Sequence, residues 1–123
     1  MVLIFGGAYQ GRLDYAKKNY SIETVCDCSD GREPDTLSDA VYGLEGYVRR
    51  CVSEGLDALE FFRENIYRFR EKVIILQDVS QGVVPLDAQE RALREMNGRL
   101  MIYLAEQADE AVRVFCGMGM RIK

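Results

Sequence analysis

Four consecutive apolar residues, Val73-Ile74-Ile75-Leu76, constrain this chain more than any other stretch. An apolar run without alternation reads as a strand buried on both faces, and β-branched side chains favour the extended backbone such a strand needs. Strands of this kind belong to parallel sheets covered by helices on each side. Val2-Leu3-Ile4, extending to Phe5, has the same character. Helical periods lie between the two runs. Val41, Leu44, Val48, Cys51 and Val52 share one helical face, and Leu59, Phe62, Ile66 and Phe69 share another. Gly55 separates them, where a helix C-terminus favours glycine. Asp87 reads as an N-cap, with Glu90 as its capping-box partner. The helix it opens turns Leu93, Met96, Leu100, Tyr103 and Leu104 inward. Ile22 to Cys28 and Ala111 to Cys116 have strand character. Residues 29–36 are rich in turn formers, and Gly117 and Gly119 precede a short basic tail. The alternation predicts one α/β domain over residues 1–123, with a small mainly parallel sheet of about four strands flanked by helices.

Sheets of this class bind ligands beyond the carboxyl ends of their strands. The first apolar run breaks there into Gly6-Gly7-Ala8-Tyr9-Gln10-Gly11, and helical residues follow from Arg12 to about Tyr20. Glycines separated by four residues have the spacing of a phosphate-binding P-loop. Such a loop works chiefly through its backbone. Successive N–H groups form a concave nest, the next helix adds its positive end, and glycine lets the chain approach the phosphates. The predicted nucleotide-binding residues are Gly6, Gly7, Ala8, Tyr9, Gln10, Gly11, Arg12 and Leu13. Two of them differ from the motif. Arg12 replaces the lysine, keeping the charge in a longer, planar fork. Leu13 replaces the hydroxyl that normally binds Mg²⁺. Asp14 is the next oxygen donor. Ala8 stands where a dinucleotide fingerprint needs glycine. Asp78, just past Val73–Leu76, is the candidate catalytic and Mg²⁺-supporting carboxylate. The expected ligands are ATP or GTP with Mg²⁺. The competing reading is a plain strand-to-helix turn, with Asp78 only ending a strand.

Composition narrows the alternatives. A net charge of −4 argues against a general nucleic-acid surface. The first apolar run is too short for a signal peptide or membrane span, so the expectation is a cytoplasmic chain. Cys26, Cys28, Cys51 and Cys116 lack the paired spacing of a zinc site and read as buried free thiols. The chain has no histidine, which excludes Ser-His-Asp and Cys-His nucleophiles. Tyr42 and Tyr47 beside Val41 and Val48, and Phe61 beside Phe62, give the two central helices more apolar surface than one stripe each. The expectation is burial against another copy of the chain.

The last third carries a more specific signal. Gly82-Val83-Val84-Pro85, Gly98-Arg99-Leu100, Ala108-Asp109-Glu110, and Gly117 with Arg121-Ile122-Lys123 resemble the carboxyl-terminal part of the adenosylcobinamide kinase / adenosylcobinamide-phosphate guanylyltransferase family. Asp78 stands where that family has glutamate. Gly6-Gly7-Ala8 and Gly11 match its amino-terminal loop. The resemblance covers about the first 16 and the last 50 residues; residues 29–71 do not align. It implies a P-loop fold, a homotrimer and a place in cobalamin biosynthesis, with a nucleotide and a corrinoid as partners. It also implies a guanylyl transfer through a histidine, which this chain lacks. The function expected is nucleotide binding at a degenerate loop, with cobinamide kinase-like phosphotransfer at most and guanylyl transfer lost. The alternative is a non-catalytic oligomeric paralogue that binds or scaffolds.

Overall fold

Buried strands and one-sided helices leave the chain few ways to cover its apolar residues. The computed structural model, which describes residues 1–79 and 87–123, adopts a helix-covered sheet. The elements are β1 (Val2–Gly6), α1 (Arg12–Asn19), β2 (Val25–Asp27), β3 (Ala40–Tyr42), α2 (Leu44–Glu54), α3 (Ala58–Asn65), β4 (Val73–Gln77), α4 (Ala88–Gln107), β5 (Glu110–Phe115) and β6 (Met118–Arg121). A 3₁₀ turn, Ile66–Phe69, follows α3. Among the described residues the sheet has six strands in the order β2-β3-β4-β1-β5-β6. β1 lies between β4 and β5, parallel to both. β2, β3 and β4 continue the parallel run, and β6 closes the other edge antiparallel to β5.

Period-two alternation splits the core. Leu3, Ile74 and Leu76 point to the face covered by α2, α3 and α4. Ile4, Ile75, Val112 and Val114 point to the face covered by α1, where Ala16 packs on them. β4 is buried over four successive residues, as its apolar run requires. α4 begins at the expected N-cap: Asp87 Oδ1 accepts from the Gln89 N–H at 2.7 Å. Glu90 does not complete a capping box. Its carboxylate pairs with Arg49 on α2 instead.

Four expectations need correction. Val41 belongs to a strand, β3, and the helix starts only at Leu44. Gly43 forces this break: at φ 71° it is left-handed, and a Cβ there would strike Ser29 Oγ. A three-residue strand is too short to display alternation, so its valine blended into the helical period that follows. The basic tail is also a strand. Cys116 and Gly117 both have positive φ, 51° and 74°, the requirement of a type I′ hairpin turn, and they fold β6 back onto β5. These two elements raise the strand count from about four to six. The aromatic surplus is also placed differently: Tyr42 lies on β3 and not on a helix, and the aromatic side chains of α2 and α3 meet one another. Tyr47 is buried, and its ring meets Phe61 edge-on with centroids 5.6 Å apart. Phe61 in turn meets Phe62 and Phe69. Finally, Cys26, Cys28 and Cys51 are buried free thiols, but Cys116 is exposed on its turn. Among the described residues no helix is long and apolar enough to cross a membrane.

Candidate phosphate-binding loop

β1 ends at Gly6, deep in the sheet. A Cβ there would collide with the carbonyl oxygen of Val114 on the neighbouring strand. The chain then leaves the sheet and re-enters regular structure at Gly11, left-handed at φ 85°. α1 starts at the next residue with no side-chain cap. Its first N–H groups therefore have no acceptor within the helix. Among the described residues the N–H groups of Gly7, Ala8, Tyr9 and Gly11 also donate to no carbonyl.

The loop is held at both ends. Gly6 O accepts from the Asp78 N–H at 2.8 Å, which ties it to the end of β4. Gln10 ties it to the β5–β6 turn. Its carbonyl accepts from the Gly117 N–H at 2.8 Å, and its Oε1 accepts from the Cys116 N–H at 2.7 Å. Tyr9, between these anchors, is fully exposed with φ 59°.

A cavity of about 420 Å³ opens over this loop, lined by residues 8–14 with Tyr42 and Gln77. Ala8, Tyr9, Gln10, Gly11, Arg12 and Leu13 all reach it. Gly6 and Gly7 are not in its lining; they form the end of β1 and the first residue after it. Asp78 does not line it among the described residues. Gln77, one residue earlier, is the β4 residue that faces the cavity.

Arg12 is the unusual group. It is only 6% exposed. Its Nη2 donates to Gln77 Oε1 at 3.4 Å, and the guanidinium stands 6.0 Å from the Tyr42 ring centre. Its Nη1 is buried with no hydrogen-bond partner among the described residues. Gln77 is itself braced from below: Asn97 on α4, 1% exposed, donates Nδ2–H to the Gln77 carbonyl at 2.9 Å. Sequence reading found Arg12 but not Tyr42, Gln77 or Asn97. The one available signal was position. Tyr42 and Gln77 end parallel strands at the side of the sheet where ligands bind.

A larger cavity, about 530 Å³, lies between the β2–β3 connection, α2 and the start of α4. Glu45 Oε2 and Arg50 Nε are buried there with no hydrogen-bond partner among the described residues, although Arg50 Nε lies 3.7 Å from Glu54 Oε2. The loop cavity differs in its backbone: besides Arg12 and the exposed Asp14, it is lined by Ala8, Tyr9 and Gly11, whose N–H groups meet no carbonyl among the described residues. The Gly82–Pro85 match lies outside the described residues.

No curated protein matches the chain. A family model described as cobinamide kinase / cobinamide phosphate guanyltransferase matches residues 46–122. The match takes in residues 46–71, which sequence reading could not align, and begins after the glycine loop. It spans more than half of the chain, and the chain therefore belongs to this cobinamide kinase-like family of cobalamin biosynthesis, whose P-loop NTPase-like fold class its mainly parallel sheet shares.

Proposed function

We propose that this protein is a cytoplasmic nucleotide-binding member of its family. It binds the phosphates of ATP or GTP at the loop between β1 and α1 and has lost guanylyl transfer. One observation carries the reading: Arg12 is buried in the wall of the loop cavity, and its Nη1 has no hydrogen-bond partner among the described residues. Leaving a donor of a buried charged group unsatisfied is costly, and an incoming anion relieves that cost. The uncapped start of α1, and loop N–H groups that meet no carbonyl among the described residues, favour the same kind of ligand.

The site's residues do not fit a protein-held Mg²⁺. That ion takes near-octahedral oxygen donors, commonly one or two carboxylates with phosphates and water. Leu13 has no oxygen, Asp78 is outside the cavity lining, and Asp14 is an exposed carboxylate on the rim. Among the described residues no three acidic, cysteine or histidine side chains group as a metal site. Phosphoryl transfer in this fold relies on the ion, so the arrangement favours binding over catalysis. With no histidine, the acceptor that the family resemblance implies for guanylyl transfer is missing as well.

Calorimetry with ATP and GTP tests the reading, alongside intact-mass analysis after incubation with GTP. The expected result is nucleotide binding with no GMP adduct. Absence of binding to either nucleotide would refute it. A second reading, a non-catalytic oligomeric paralogue, is favoured by the apolar residues exposed on the β5–β6 hairpin.

A further inference from the structure

We infer that the loop site takes the terminal phosphate of its ligand as a metal-free oxyanion, held by the Arg12 guanidinium in the role that the P-loop motif gives to lysine and Mg²⁺ together. The inference rests on the proposed phosphate site and adds how the phosphate charge is met. Two independent sets of observations lead to it.

The first concerns what is present. A guanidinium carries its charge in a planar fork that matches two phosphate oxygens at once, whereas an ammonium acts as a point charge. Arg12 is fixed in place before any ligand arrives. Gln77 Oε1 accepts from Nη2 at 3.4 Å, Tyr42 lies under the cation at 6.0 Å, and Asn97 secures Gln77 through its carbonyl at 2.9 Å. This leaves Nη1, buried and without a hydrogen-bond partner among the described residues, as the uncommitted donor of a residue that lines the cavity. A donor oriented in advance loses little entropy on binding, and the buried position reduces competition from water.

The second concerns what is missing. The hydroxyl position holds Leu13, and the strand-end carboxylate Asp78 does not reach the cavity lining. Arg12 and Leu13 thus act in one direction: the first supplies charge and the second removes the ion's ligand.

The test is calorimetry with ATP, and separately with sodium pyrophosphate, in EDTA and in millimolar MgCl₂. Wild type should bind both probes in EDTA, and Mg²⁺ should not tighten binding by more than about threefold. Arg12→Gln should weaken pyrophosphate binding in EDTA by about tenfold or more, since a charge-assisted contact is lost. Arg12→Lys with Leu13→Ser should restore metal dependence, with affinity about tenfold higher in Mg²⁺ than in EDTA. Wild-type binding that appears only with Mg²⁺ would overturn the inference and leave the phosphate site standing. So would an Arg12→Gln variant, folded by circular dichroism, that binds pyrophosphate like wild type. If neither probe binds in either buffer, the phosphate site itself is refuted. The wild-type comparison needs no substitution, so misfolded variants do not obscure the result.

Discussion

At Gly6 the geometry of one residue decides whether the loop can leave the sheet. The carbonyl oxygen of Val114 occupies the place a Cβ would take. Because that neighbour is backbone in a central pair of strands, it has little room to yield. Gly6→Ala should therefore destabilise the fold by about 1–3 kcal/mol, the usual range for locally strained backbone. Urea denaturation checks this, and an unchanged midpoint would mean that β1 and β5 separate at little cost. Gly6 and Gly11 were legible because a glycine motif is a spacing, visible in one dimension. Arg12 was legible as a substituted lysine. Its burial was not, because arginine is rarely buried unless something pairs with it. The residues that hold Arg12 come from three different elements. Tyr42, Gln77 and Asn97 are brought together only by the sheet order, and no spacing along the chain announces that meeting.

Among the elements, length decided what could be read. β4 and α4 announced themselves through four buried residues and a twenty-residue helix with its cap. β3 is three residues long and followed at once by Gly43, so its Val41 fitted the helical period by coincidence. β6 is exposed throughout, so it carries no burial pattern, and its turn uses cysteine where asparagine is the common signal. The two short parallel strands β2 and β3 need a clamp at their start, and Asp39 supplies it. Its Oδ2 accepts from the Glu23 and Thr24 N–H groups at 2.8 and 3.1 Å, while Thr24 Oγ1 accepts from the Asp39 N–H at 2.9 Å. The Glu23 N–H first, then that of Thr24, hold the Asp39 carboxyl below its ordinary value. A carboxyl lowered in the folded state stabilises the fold above its unfolded value, and that contribution is lost as pH falls through the folded value. Wild type should therefore be more stable than Asp39→Ala at pH 7, and the gap should narrow below about pH 4. Urea melts at pH 7, 5 and 3 measure the gap; a difference that stays constant with pH would assign the effect to packing instead of the carboxylate.

For the whole molecule, the central question is where its unburied apolar surface lies. α2 and α3 were expected to offer it, but their aromatic side chains close on one another through Tyr47, Phe61, Phe62 and Phe69. Among the exposed apolar residues, Phe115, Met118 and Met120 cluster on the β5–β6 hairpin at the β6 edge of the sheet. The register pairs Phe115 with Met118 and Arg113 with Met120, which places Phe115, Met118 and Met120 on one face of the hairpin, 58%, 68% and 61% exposed. β6 is also the edge strand among the described residues, with an outer row of backbone groups open to pairing. An apolar face beside an open edge is suited to another copy of the same hairpin, since antiparallel edges pair with themselves about a two-fold axis. Light scattering at micromolar concentration should give a mass above that of one chain, and Met118→Lys with Met120→Lys should reduce it to one chain. A mass of three chains would match the trimer that the family resemblance implies, whereas two would match direct β6 pairing. Phe61→Glu separates the hairpin surface from the helices. Placed inside the aromatic cluster, the new carboxylate should lower stability in urea without being the contact that joins copies. A monomeric wild type, or an oligomer untouched by the two lysines, would refute the hairpin as the association surface.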